Sequence, residues 1–468
     1  MDDFGDTTAP PGYDRTGHAS RARSVAGRLG DEGVEGVILS FVDTAGVNRV
    51  KTVPAARLPD AVSWGVGASP VFDTFLADDS ATVTSRLGGP DGDLRLVPDL
   101  DQLTVLAAQP GWAWAPADRY TQDGAPYPAC QRLFAAAMTQ RARAAGLRLR
   151  MAFEVEWALG EQTGDDAFVP AAAGPAYGMT RLVGTSDYAR DVLAALRRQG
   201  VDVEQLHPEY SPGQYEVSVS AAGPVTAADH SVLVRQTVRA VAARHGYRVS
   251  FSPAALPGQV GNGGHVHLSV WRDGANLFAG GPGRHGMTAG GEAFAAGILA
   301  RLPALLAVGA PVPASYLRLV PSHWAGAFAC WGHETREAAL RLVTGSAGRQ
   351  AEAANLEVKC FDLAANPYLL VGCLIAAGLH GTERGLGLPD EITGDPASYP
   401  AERLAARGID RLPHSLDESV DALAGDPVLR EAMGDTLCDV VIAVRRAEAD
   451  RLRGSDDDAV AAAARWAY

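Results

Sequence analysis

An α+β fold is predicted from three observations. From Leu147 to Leu159 the chain alternates strictly, with Leu147, Leu149, Met151, Phe153, Val155, Trp157 and Leu159 apolar and Arg148, Arg150, Ala152, Glu154, Glu156 and Ala158 between them. That is the pattern of a strand with one face on a core. Long helical stretches at 186–199 and 226–245 separate this strand from similar ones further on. Around Pro116–Pro128 proline, glycine and aspartate accumulate, which marks a boundary. The chain is therefore expected to comprise a disordered lead (1–20), a small α+β domain (21–117) and a larger unit (118–468).

In order, residues 21–29 read as a short helix, and Val34 to Val53 as two strands about a turn at Thr44-Ala-Gly46. Short strand signals return between Leu94 and Ala107. Cys130–Ala145 is helical and leads into the alternating strand. Ser186–Gln199 is a helix with Thr185 or Ser186 as its N-cap, and Thr226–His245 is a second. Helices are expected again at 292–309, at 366–382 and over the charged segment 414–453.

The polar faces of the strands carry the chemistry. Glu154 and Glu156 point the same way, roughly 7 Å apart at the two-residue repeat. A solvated strand face would explain one such pair, but three later segments repeat the arrangement. Gln214, Glu216 and Ser218 alternate with Tyr215, Val217 and Val219; His265, His267 and Ser269 alternate with Val266, Leu268 and Val270; Glu357 and Lys359 alternate with Leu356, Val358 and Cys360. Glu209 lies seven residues before Glu216. One shared sheet face would collect five carboxylates and one or two imidazoles, a donor set suited to Mg²⁺ or Mn²⁺ rather than zinc.

At 468 residues and a formal charge of -14 the chain has room for a large core and argues against a nucleic-acid partner. The five cysteines are scattered without a C-x-x-C, which fits a reduced, cytoplasmic setting. No apolar leader and no membrane span are evident, so no membrane partner is expected.

Taken together, the motifs resemble the glutamine synthetase family over nearly the whole chain. Asp43-Thr-Ala-Gly46 with Arg49, Lys51 and Pro54 is similar to the start of its N-terminal β-grasp domain. Phe153-Glu-Val-Glu156, His207-Pro-Glu209, Gly213-Gln-Tyr-Glu216, Gly261-Asn-Gly-Gly-His-Val-His-Leu-Ser269, Ser315-Tyr-Leu-Arg-Leu-Val-Pro321, the Arg336/Arg341 spacing and Asn366-Pro-Tyr368 follow in the family's order. The resemblance implies a β-grasp domain followed by a catalytic domain with a curved antiparallel sheet flanked by helices. It also implies a homo-oligomer of two stacked hexameric rings, and ATP-dependent amide formation on the γ-carboxylate of glutamate.

By the same resemblance Glu156, Glu209 and Glu216 hold one divalent cation, and Glu154, His265 and Glu357 another. Gly261 lets a bound amino acid approach, and Arg318 holds the glutamate α-carboxylate through its fork. Arg336 stabilises the transferring phosphoryl group and Arg341 the ATP phosphates. Glu204, His267 and Ser269 match nucleotide-contacting positions, His267 having a core imidazole as its alternative.

The sequence departs from the ammonia-using pattern where it matters. Val66 and Trp324 stand where those enzymes carry an Asp that helps deprotonate ammonium and a Glu over the substrate. Neither can bind a cation by charge or accept a proton, while an indole can cover an alkyl amine or hold a cation on its face, or plug the pocket as core. Asn355 and Lys359 replace an arginine pair near the glutamate, and Ala254 replaces a lysine after Phe251-Ser-Pro253. The pattern predicts a γ-glutamyl ligase for an organic amine; a glutamine synthetase with a relocated base (His323 or Glu334) and a non-catalytic nucleotide- or amino-acid-binding paralogue are the alternatives.

Overall fold

The computed structural model describes residues 15–164 and 166–468. The first helix, Arg15–Asp31, starts within the stretch expected to be a lead; residues 1–14 of that lead lie outside the described residues. It packs on helix Leu58–Trp64 and shares a core with a six-stranded sheet. The sheet's hairpin, Gly36–Val42 with Asn48–Pro54, turns at Asp43–Val47. Only glycine fits at position 46, where φ is 90° and a Cβ would sit 1.9 Å from the carbonyl oxygen of Ala364. Strand Trp112–Thr121 runs parallel to Gly36–Val42 and antiparallel to Leu94–Pro98. It therefore carries the first sheet past residue 117, where the sequence suggested the second unit would begin.

The larger sheet has nine strands, in the order Phe328–His333, Ala338–Val343, Asn355–Val358, Val266–Arg272, Arg148–Glu161, Gln214–Val219 and Val203–Pro208, with Tyr247–Ser250 and Ala275–Asn276 pairing off this path. All its neighbours are antiparallel except Phe328–His333 with Ala338–Val343. Met151, Phe153, Val155, Trp157 and Leu159 are buried on its core face, as their alternation requires. The opposite face is open only where Arg148 and Arg150 begin it: further along, Ala152, Glu156 and Ala158 are buried too, and the strand borders cavities there.

Behind the sheet lies helix Pro367–Arg384, apolar nearly all round and buried for most of its length. The Asn366 side chain caps it, accepting from the N–H groups of Tyr368 and Leu369, and donates to the carbonyls of Val42 and Asp43 in the first domain. The helix expected over 292–309 is two, Ala289–Leu299 and Leu302–Gly309, bent by 67° where Pro303 starts the second. This pair is long and apolar but bent and mostly buried, and no single helix among the described residues is long and apolar enough to cross a membrane. Segment 414–453 likewise divides, into Leu416–Ala424 capped by Ser415 and Pro427–Arg451 capped by Asp426. Thr185 precedes helix Ser186–Arg198 without capping it, since its hydroxyl donates to the Arg181 carbonyl.

Arg132 joins the two parts. Its Nε and one terminal nitrogen bind Asp229 at 3.0 and 2.9 Å, and it reaches Asp118 of strand Trp112–Thr121 at 2.9 Å and Asp99, just past strand Leu94–Pro98, at 2.7 Å. The Tyr368 hydroxyl donates to Asp229 at 2.7 Å. Asp229→Ala strands the buried guanidinium on its helix side, and is expected to lower stability by about 3–5 kcal/mol in urea unfolding. A loss below about 1 kcal/mol would show that the clasp is dispensable.

Candidate active site

Strand register builds the site. Glu216 lies directly opposite Glu156 on one side and His207 on the other, giving a rung His207–Glu216–Glu156 across three strands. Further along the sheet Glu357 is flanked by His267 and Arg341. The polar side chains of these strands line a cavity of about 640 Å³. Glu154, Glu156, Glu209, Glu216, His265, Arg318, Arg336, Arg341, Glu357, Lys359, Gly261 and Trp324 all reach it. Glu204, His267 and Ser269 instead line an adjoining cavity of about 570 Å³, with Trp271, Asn355 and Arg349, and Glu154 and Gln205 border both.

Two groups of side chains converge closely enough to share an ion, Glu154 with His267 and Glu357, and His207 with Glu209 and Glu216. His265 adjoins the first group, its Nδ1 2.7 Å from Glu154 and 3.2 Å from Glu357, while Glu156 accepts from the Gly263 N–H at 2.8 Å and the Gln214 amide at 2.9 Å. Carboxylate oxygens with few imidazoles are what hard divalent cations take.

The charges are unevenly balanced along this wall. Burial, with Glu156 beside it, pushes the Glu209 carboxyl up to about 7. Burial also raises Glu156, with His265 opposing and the facing Glu216 adding to the shift. At the other end burial acts upward on Glu357, but Lys359, His265 and His267 outweigh it and hold the carboxyl well below its usual range. Glu154 is depressed likewise by His267 and His265 against its burial. His207 rises to about 9 through its hydrogen bond to Glu216, and His267 to about 9, where Glu154 overcomes burial. The Glu209 end thus lacks sufficient positive charge from the chain itself, which is where an added cation fits.

The cationic side chains divide by partner. Arg341 donates to Glu357 at 3.1 Å and Glu334 at 2.9 Å. Arg336 is exposed toward the cavity and has no ion pair among the described residues. The Lys359 ammonium sits 3.0 Å from Glu357, so its charge is engaged within the acidic wall. Arg318 is buried, donates to the carbonyls of Phe361 and Lys359, each at 3.2 Å, and stands 3.0 Å from His265 Nε2. Its fork is thus partly occupied by the backbone.

At Gly261 the missing side chain is explained by the chain itself, since a Cβ would lie 2.0 Å from the Pro253 carbonyl oxygen. Gly263 is the glycine that makes room in the site. A Cβ there would come within 2.6 Å of His265, 2.8 Å of Glu156 and 2.9 Å of Arg318. Gly263, His207 and Gln214 all stand in the sequence motifs, but nothing in the motifs themselves assigns them these roles. Tyr177 and Tyr210 carried no signal; they line the cavity from loops.

Trp324 stands at the cavity mouth, 43% exposed, with its ring 5.0 Å from that of Tyr210, so it does not plug the core. Val66 belongs to the short strand Val66–Ala68 of the first sheet and does not line the cavity of its own chain. His323 lines the cavity, whereas Glu334 is held by Arg341 and by the Thr344 N–H. Nothing in the structure explains Ala254, which is buried.

This geometry, two carboxylate–imidazole groups on one sheet face with arginines beside them and a second cavity alongside, defines a site for a polyanionic ligand and divalent cations. Residues 128–460 match the glutamine synthetase catalytic-domain family, and the chain belongs to that family. It is 63% identical to the gamma-glutamylpolyamine synthetase GlnA3 of Streptomyces coelicolor, over 97% of this chain and 98% of that one. It is 29% identical to the glutamine synthetase of Methanocaldococcus jannaschii, over 83% of this chain and 86% of the relative. Among solved structures it superposes on a novel glutamine synthase homolog with a TM-score of 0.82 at 34% identity, covering 92% of this chain and 97% of that one. The GmaS/ADP complex follows, with a TM-score of 0.81 at 27% identity, covering 93% and 97%.

The shifted groups set a pH dependence. Glu209, raised from 4.5 to about 7, disfavours folding progressively as pH climbs through that window. His207 and His267, raised from 6.5 to about 9, contribute stability that is complete below 6.5 and lost as pH rises through 9. All three act in the same direction. The metal-free protein is expected to melt at falling temperature from about pH 5 to 9, with the stabilisation by Mg²⁺ or Mn²⁺ growing over the same range. Glu209→Gln should flatten the lower half of that decline. A metal-induced shift in melting temperature that is independent of pH would contradict the assignment.

Proposed function

We propose that this chain is an ATP-dependent ligase that joins an organic amine, of the polyamine class, to the γ-carboxylate of glutamate. The observation that carries the choice of acceptor is Trp324, whose indole with Tyr210 forms an aromatic wall where an ammonia-binding site would need carboxylate. An aromatic face can cover the alkyl chain of an amine and attract a second cationic group. The 63% identity to a gamma-glutamylpolyamine synthetase supports the same reading.

In this reading a γ-carboxylate oxygen of glutamate attacks the γ-phosphorus of ATP and ADP leaves. The amine nitrogen then attacks the acyl carbon of the γ-glutamyl phosphate, losing a proton as inorganic phosphate departs. Divalent cations, held by Glu154, His265, His267 and Glu357 and by Glu156, His207, Glu209 and Glu216, would neutralise charge on the transferring phosphoryl group. Arg336, free of ion pairs among the described residues, is the group available to the phosphoryl oxygens, and Arg341 flanks it from the Glu357 side. Arg318 and Lys359 line the glutamate end, and Gly261 shapes the loop behind it. Glu204, His267 and Ser269 border the second cavity, which would take the nucleotide in this reading.

His323 is suited to take the amine's proton. Its Nδ1 lies 3.0 Å from the Pro321 carbonyl, which fixes the proton there and leaves Nε2 as an acceptor. Val66 lies outside the cavity of its own chain, so it bears on the acceptor only in the ring assembly the resemblance implies, where a neighbouring copy's first domain would reach this cavity. The division into two domains belongs to the same reading, with strand Trp112–Thr121 kept whole in the first.

Phosphate release with glutamate, ATP and Mg²⁺ against ammonia, methylamine, ethanolamine, putrescine and spermidine, with product masses, tests the proposal. A polyamine is expected to exceed ammonia in kcat/KM by about tenfold or more. Arg336→Ala should lower kcat on the order of 10²–10³-fold. Preference for ammonia would restore the glutamine synthetase reading. ATP binding without phosphate release from any amine would establish a binding paralogue.

A further inference from the structure

The loop that carries Trp324 is held in an unusual backbone shape. Between helix Ser315–Arg318 and strand Phe328–His333, Ser322, Trp324 and Gly326 have φ values of 61°, 56° and 69°. Glycine adopts such angles freely; an aromatic residue rarely does, and persists there only when its surroundings hold it. Two carboxylates do so. Glu337 accepts a hydrogen bond from the Trp324 N–H at 2.8 Å, and Asp395 accepts one from the Ser322 hydroxyl at 2.6 Å.

Glu337 has no ion pair among the described residues and does not line the cavity, although Arg336 beside it does. It is partly buried, and burial raises its carboxyl, with the Trp324 N–H pulling the other way. A half-buried carboxylate bonded to one strained amide holds that amide by a charge-assisted hydrogen bond.

What the amide positions is the mouth of the cavity. The Trp324 ring leans on Tyr210 at an interplanar angle of 47°, and Tyr177 stands near His207 with a ring-centroid separation of 6.0 Å. These three aromatics are 43%, 45% and 61% exposed. Tyr177 is itself left-handed, with φ of 56°. The Tyr210 N–H donates to Glu209 at 3.0 Å, which ties the aromatic wall to the acidic end of the site. The route from the mouth inward thus passes from aromatic faces to carboxylates, an order that suits an elongated amine with more than one positive charge.

We propose that Glu337 is a positioning residue for acceptor specificity: by holding the Trp324 amide it sets the indole against Tyr210 in the arrangement that recognises the organic amine. This rests on the amine-ligase reading above. It assigns Glu337 no contact with substrate and no part in phosphoryl transfer.

The test compares Glu337→Ala, Glu337→Gln, Trp324→Ala and the double variant Glu337→Ala/Trp324→Ala in the full-length enzyme. Loss of a charge-assisted hydrogen bond is expected to raise KM for the preferred organic amine by about tenfold in Glu337→Ala. KM for glutamate and for ATP should stay within about twofold, and kcat at saturating amine within about threefold. Glu337→Gln keeps an oxygen acceptor for the Trp324 N–H and should restore most of the amine KM. In the Trp324→Ala background, removing Glu337 should add nothing further.

Equal losses for all three substrates, additive effects in the double variant, or an unchanged amine KM would each overturn the assignment while leaving the ligase reading intact. Failure of the wild-type enzyme to use any organic amine better than ammonia would overturn the reading itself, and this assignment with it.

Discussion

Glu156 faces Glu216 across a strand pair, and no rearrangement of side chains can relieve that without changing the register. Like charges opposed on one sheet face are destabilising, and a shift of one residue would turn the apolar set of Arg148–Glu161 away from its core. The core therefore enforces the repulsion. Much of the surrounding structure answers it. The Gly263 N–H and the Gln214 amide bond one Glu156 oxygen, His207 takes on positive charge beside Glu216, and Glu209 holds a proton into the neutral range. The opposite end, around Glu357, is neutralised by Lys359, Arg341 and two imidazoles. A site divided in this way has a preformed place for added positive charge at one end and a settled network at the other.

The strands and their faces were legible because period 2 survives in the sequence wherever one face meets a core. Met151 through Leu159 declared their burial by alternation alone, and the same rule put Glu154, Glu156, Glu216, His265 and Glu357 on one wall. The pairing of side chains across strands was not legible. That Glu357 would meet Arg341, or that His267 would complete a group with Glu154 and Glu357, depends on register between separate segments. Periodicity within one segment carries no information about it.

Local backbone shape was the other hidden quantity. Gly261 and Gly263 look alike in a glycine-rich motif, and only the packing tells that the first clears the Pro253 carbonyl while the second makes room among His265, Glu156 and Arg318. Trp324 could be read as an indole in place of a carboxylate, but not as a strained residue anchored from behind by Glu337. Thr185 had the chemistry of a cap and uses its hydroxyl elsewhere, because the Arg181 carbonyl is one helical turn back. The apolar stretch 292–309 is two helices, because Pro303 can open a helix but not continue one.

The hairpin turn near Gly46 is pressed against Ala364, bonded by the Asn366 amide, and capped by the Tyr468 hydroxyl on the Ala45 carbonyl; Ala77 leans similarly on Glu448. These bonds span 323 to 423 residues of sequence. Closing such loops is entropically costly until the intervening chain has been organised, so contacts of this kind form late. On the ribosome the first sheet is made first, but its turn meets its partners only after the second sheet and its helices have been synthesised. Of the two sheets, the one that emerges first is thus completed last, and over that interval its turn relies on a fold that has not yet formed.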